Sequence, residues 1–94
     1  MSSMVSTLTI QAEAIPLVRS GLAMKKAALD LNLRRYGERL KSFEQQYGMD
    51  SQTFAARFGE GKLGDEADWF EWEYILDTYR ETLRQLEILE HIRL

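Results

Sequence analysis

The chain has no cysteine, one proline and one histidine. Without cysteine there is neither a disulfide framework nor a thiolate metal site, and the natural setting is a reducing, cytoplasmic one. A lone histidine, His91 in the last residues, cannot build a histidine dyad, a zinc site or a Ser-His-Asp set within one chain. No apolar run approaches the roughly 18 residues that cross a bilayer, and the opening "MSSMVSTLTIQAEAIP" lacks the pattern of a secretory signal. Neither sign of charge dominates, with 12 Lys and Arg against 15 Asp and Glu. With 94 residues, 45% of them hydrophobic, the chain can close one small core and is expected to form a single domain.

The charges are unevenly distributed. Residues 1–58 hold eight cations against five anions, and residues 59–94 hold four against ten, so the two halves carry +3 and −6. Such a dipole can complement a partner, or let two helices attract each other.

From Leu22 onward, apolar residues recur at Leu22, Leu29, Tyr36 and Phe43 and at Leu33, Leu40 and Tyr47. These are two seven-residue series that share one helical face, interrupted only by Lys26. Gly48 suits the end of this helix, and Pro16 suits its first turn, which places it at about 16–47. "MDSQTFAARFG" reads as a short helix over 51–58: Asp50 caps it, and Met49 and Phe54 form a hydrophobic staple. After "GEGKLG", Asp65 is a second N-cap and Asp68 adds to an acidic first turn, opening a helix over about 66–92. On it Trp69, Trp72, Ile75, Leu76, Tyr79, Leu83, Leu86 and Leu89 fall within an arc of about 160°.

The expected fold is therefore all-α, an antiparallel hairpin of two long helices joined by a short one. The expected core seam is Leu22, Leu29, Leu33, Tyr36, Leu40, Phe43, Trp69, Trp72, Leu76, Tyr79, Leu83 and Leu86. Residues 1–12 form an arm. Its "MVSTLTIQ" is rich in β-branched residues and alternates weakly, so it reads either as a strand awaiting a partner sheet or as a continuation of the first helix.

Gly59, Gly61 and Gly64 have the G-x-G-x-x-G spacing of a dinucleotide fingerprint. That fingerprint needs a strand before it and a phosphate-attracting helix N-terminus after it. Here a helix precedes the loop, and Asp65, Glu66 and Asp68 would repel a pyrophosphate. Lys62 is followed by Leu63, which excludes a Walker A loop, and "DEADWFEWE" lacks the alternating ligands of an EF-hand. The glycines are expected to end one helix and turn the chain into the next. No cofactor, metal or small-molecule substrate is expected, and no enzyme, since no carboxylates pair in a recognisable way. Lys25, Lys26, Arg34, Arg35, Arg39 and Lys41 make the first helix basic, but the pI near 5.1 and the lack of a nucleic-acid-binding pattern argue against DNA.

Partner surface is what remains. Opposite its core face the last helix carries Phe70, Tyr74, Ile88 and Ile92 interleaved with Glu66, Glu73, Asp77 and Glu81. Large apolar groups ringed by carboxylates have the composition of interface anchors. The alternative is that Phe54, Phe58 and Leu63 fold over Phe70 and Tyr74. Leu17, Met24 and Leu31 give the first helix a similar excess on its back, so self-association or docking onto another protein is expected.

The run "YGMDSQTFAARFGEGKLGDEADWFEW", followed by Tyr79, Leu83 and Leu86, resembles a group of short helical proteins of bacteria and archaea. These are predicted as antitoxin partners of small toxins encoded beside them. The likeness covers about Tyr36 to Leu89, and its most specific portion is "F-x-x-G-x-L-G-D-x-x-D-[FW]-F-E-W". It implies a protein that neutralises a cognate toxin, with no binding residues to carry over. The competing readings are a homo-oligomeric scaffold, such as a homodimer, and a DNA-binding regulator acting through the basic helix.

Overall fold

The computed structural model describes residues 4–94. It contains three α-helices: α1 (Ile15–Tyr47), entered through a 3-10 turn at Ala12–Ala14, α2 (Ser51–Gly59) and α3 (Ala67–Glu90). Among the described residues there is no strand. The arm does not continue the first helix: residues 4–11 are irregular, exposed except at Ile10, and stop short of α1. Residues 1–3 of the arm lie outside the described residues.

Local chemistry accounts for the helix ends. Pro16 sits in the first turn of α1, where its missing N–H leaves no helical bond unmade. Gly48 closes α1 in the left-handed region (φ 66°), donating its N–H to the Glu44 carbonyl at 2.9 Å. The Asp50 carboxylate accepts the Thr53 N–H at 2.7 Å, which holds its own pKa below the usual carboxylate value. Glu44 of α1 supplies a further cap by accepting the Ser51 N–H at 2.8 Å.

The start of α3 departs from the expectation. Glu66, not Asp65, is the N-cap residue, its backbone is extended and its side chain makes no capping bond. Asp68 then falls in the first turn, and its carboxylate is taken by the Tyr47 hydroxyl of α1. The helix also stops at Glu90, leaving Ile92 in the following turn.

Contacts between α1 and α3 run in reverse order along the two helices. Tyr47 meets Asp68, Phe43 stacks on Trp72 and Gly37 lies against Tyr79; Arg39, lying over the Phe43 ring, bridges to Glu71 at 2.8 Å, and Arg19 near the start of α1 donates to the carbonyl of Leu94, past the end of α3. The core sits at the α2 end. Leu40, Phe43, Phe54, Trp69, Trp72 and Leu76 form one buried cluster, with Tyr47, Met49, Phe58 and Leu63 packed on it. Met49 and Phe54 thus complete the staple. Two indole N–H groups fasten the connection, Trp72 to the Ser51 hydroxyl and Trp69 to the Leu63 carbonyl, each at 2.9 Å. Buried polar groups require such partners, and Ser51 is buried for this reason.

Of the expected seam, Leu29, Leu40, Phe43, Trp69, Trp72 and Leu76 are buried, and Leu22, Leu33, Tyr36, Tyr79 and Leu86 are half-buried. Leu83 is not in the seam; it is 42% exposed, and the neighbouring Thr82 is buried instead. A straight helix drifts by about 20° per heptad relative to a seven-residue repeat. The contact line therefore slips from Tyr79 to Thr82, Leu86 and Leu89, and Leu83 swings out. Thr82 satisfies its hydroxyl on the Thr78 carbonyl at 2.8 Å. Leu83→Ala is accordingly expected to change unfolding free energy by no more than about 0.5 kcal/mol in a urea titration, as at an ordinary surface position. A loss above about 2 kcal/mol, the range of a core leucine, would contradict the burial.

Candidate protein-binding face

The outer surface of α3 is the side turned away from α1. At 100° per residue, Phe70, Glu73, Tyr74, Asp77, Glu81 and Ile88 fall within an arc of about 100°, with Glu66 just before the first turn. Phe70 is 54% exposed and Tyr74 64%. The expected cover from the turn is only partial. Phe54 and Leu63 are drawn into the core cluster, and Phe58 alone reaches Phe70, edge-on at 5.4 Å. Phe58 in turn stacks on the buried Phe54 at 5.5 Å. Phe70 is thus buttressed from one side and open on the other, and Tyr74 stands free of the turn.

Charge is anchored too. Glu81 accepts from Arg84 at 2.7 and 2.9 Å and from Gln85 at 2.9 Å. These bonds stabilise the carboxylate and lower its pKa to about 2. Arg84 is the residue that sequence reading missed. It places a cation between Glu81 and Ile88, dividing the stripe into an acidic, aromatic part nearer the turn and an apolar part nearer the C-terminus. Its signal was present in the i,i+3 spacing to Glu81.

Ile88 is half exposed, bordering a shallow groove with Lys25, Leu29, Gln85 and Leu89 on one side and approached by Met4 and Val5 on the other. Ile92 does not join this stripe. It lines a separate groove with Arg19, Leu22, Lys26 and Leu94, because the chain leaves helical geometry at His91. His91 itself turns its ring nitrogen to the Glu87 carbonyl at 2.8 Å. Of the basic residues on α1, Arg39 alone bridges to α3 among the described residues, and Lys26 pairs with Asp30 at 2.8 Å within its own helix.

The glycine loop turns its donors inward. The N–H groups of Gly61 and Lys62 go to the Phe58 and Arg57 carbonyls, and the Lys62 ammonium pairs with Glu60 at 3.2 Å. Gly61 (φ 73°) and Gly64 (φ 84°) supply the left-handed conformations the turn requires. Among the described residues no three of His, Asp and Glu are grouped to hold a metal ion. No helix is long and apolar enough to cross a membrane among these residues.

Where α3 begins, the Tyr47 hydroxyl donates to Asp68, which stabilises the neutral phenol and pushes its pKa up to about 12. A pKa raised by folding contributes stability that is present below the ordinary tyrosine value near 10 and is lost as pH rises through the folded value. Ultraviolet titration of the folded protein is expected to show one tyrosine ionising near 12, a step that Tyr47→Phe removes. A Tyr47→Phe profile identical to the parent's would overturn this assignment.

Comparison of the chain with models of known protein families, with curated proteins and with solved structures finds no match.

Proposed function

We propose that the chain is a cytoplasmic, non-enzymatic protein-binding module, a helical hairpin that docks the outer face of α3 onto a basic surface of a partner protein. One observation carries this reading: two large aromatic side chains, Phe70 and Tyr74, stand more than half exposed on a rigid helix, ringed by Glu66, Glu73, Asp77 and Glu81. Exposed aromatics on a fixed backbone supply contact area at low entropic cost, and the surrounding carboxylates select a cationic partner. The sequence resemblance narrows the partner to a small toxin. A face of this charge would cover an RNA-directed active site by setting its carboxylates where substrate phosphates lie.

The direct test is binding of the isolated chain to the product of the adjacent gene, measured by calorimetry. Phe70→Ala/Tyr74→Ala and Asp77→Lys/Glu81→Lys are each expected to weaken binding. Variants that bind as tightly as the parent would sink the proposal.

A further inference from the structure

A second face remains, on the side of α1 turned away from α3. Leu17, Met24 and Leu31 recur there every seven residues and are 75%, 71% and 40% exposed. Gly21 and Ala28, and Ala14 at the N-cap of the helix, recur with the same period just beside them. Gly21 is the unexplained member. It lies inside a 33-residue helix, where glycine costs stability relative to alanine, yet a Cβ built there would meet nothing within 4 Å. Gly37 differs, since Tyr79 lies 3.5 Å from its Cβ position. Nothing among the described residues calls for the missing side chain at Gly21.

We propose that this face binds a second copy of the chain, the two α1 helices packing antiparallel about a two-fold axis midway between Gly21 and Met24. In that register every layer sets a large residue against a small one: Leu31 on Ala14, Leu17 on Ala28 and Met24 on Gly21 of the partner subunit, each occurring twice by symmetry. Helices that pair large with small residues can approach closely, which gives Gly21 its reason. The flanks agree. Glu13, in the 3-10 turn that leads into α1, falls beside Arg34 of the partner subunit at both ends of the contact, Ser20 faces Ala27 across its middle, and Lys25 meets only the apolar Val18. A parallel pair would set Met24 on Met24 and Gly21 on Gly21, leaving clashes and voids in alternate layers, with no opposite charges facing. The paired segment spans about 26 Å at 1.5 Å per residue, so the buried area is at the low end for a specific interface and the dimer dissociates on dilution. The α3 face stays free, so a dimer displays two partner faces.

Analytical ultracentrifugation of the isolated 94-residue chain tests this without any other partner, so its outcome is independent of the proposed function. A concentration-dependent monomer–dimer equilibrium is expected. Met24→Glu, which buries a carboxylate against the partner's Gly21, should raise the dissociation constant roughly tenfold or more. Gly21→Leu should also dissociate the dimer while increasing the thermal stability of the monomer, since leucine is the better helix former; this separates loss of the interface from loss of the fold. Glu13→Arg and Arg34→Glu should each weaken self-association, and mixing the two variants should restore it as a heterodimer. A chain that stays monomeric, a dimer indifferent to Gly21→Leu and Met24→Glu, or charge variants that show no preference for each other would overturn the proposal.

Discussion

Trp72→Ala is expected to bring the protein to the edge of unfolding at room temperature. The indole is fully buried and lies between two rings, stacked on Phe54 at 4.0 Å and on Phe43 at 5.2 Å. Removing a buried aromatic costs about 3–5 kcal/mol. The change also strands the buried Ser51 hydroxyl, which now accepts the indole N–H, and a polar group left unsatisfied costs about 1–3 kcal/mol. A domain of this size has a total stability of roughly 5–14 kcal/mol at 0.05–0.15 kcal/mol per residue. One substitution therefore removes a large share of it. Because Trp72 joins all three helices, the loss is global rather than confined to α2. Urea unfolding followed by circular dichroism measures it directly. Trp72→Phe keeps a ring in the stack but not the N–H, and is expected to fall between the two. A Trp72→Ala midpoint close to the parent's would mean that the core does not centre on this stack.

The second large effect concerns the α3 face, and its two kinds of side chain should fail in different ways. Phe70 and Tyr74 would be desolvated anchors, so truncating both is expected to cost about 2 kcal/mol or more, or roughly thirtyfold in affinity, mainly through faster dissociation. Asp77→Lys/Glu81→Lys reverses charge at the rim, and is expected to slow association and to reverse the salt dependence of the on-rate. Both pairs are exposed in the free protein, so thermal melts of these variants should stay near the parent's. Glu81 has one local role, its bonds to Arg84 and Gln85, and such an exposed pair contributes little to stability. Surface plasmon resonance against the adjacent gene product separates the two rates. Equal loss in both rates for both variants would argue that the face acts by folding rather than by contact.

Much of the fold could be read from sequence because its signals are local. The seven-residue series from Leu22 to Tyr47, Gly48 after it, and Asp50 with Met49 and Phe54 each specify a helix, an end or a cap through neighbours a few residues away. The glycine loop was readable as a turn for the same reason: α2 ends at Gly59, and Gly61 and Gly64 take the left-handed conformations that redirect the chain. The candidate face was partly legible. Helical spacing placed Phe70, Tyr74 and the four carboxylates together, but it could not show that Phe58 would buttress Phe70 while Phe54 and Leu63 turned inward.

What sequence alone determined, then, is the set of helices, the ends of the first two, and the sides on which each carries apolar and charged groups, because backbone hydrogen bonding and helical periodicity act over only a few residues. What the tertiary structure decided is how those sides meet. The Tyr47 hydroxyl of α1 takes up Asp68 in the first turn of α3. The slow drift of a straight helix against its neighbour buried Thr82 and exposed Leu83. Departure from the helix at His91 took Ile92 off the face that Ile88 still shares. Each outcome depends on where a second helix lies, and a position set by packing between distant residues is not encoded in the spacing of near ones.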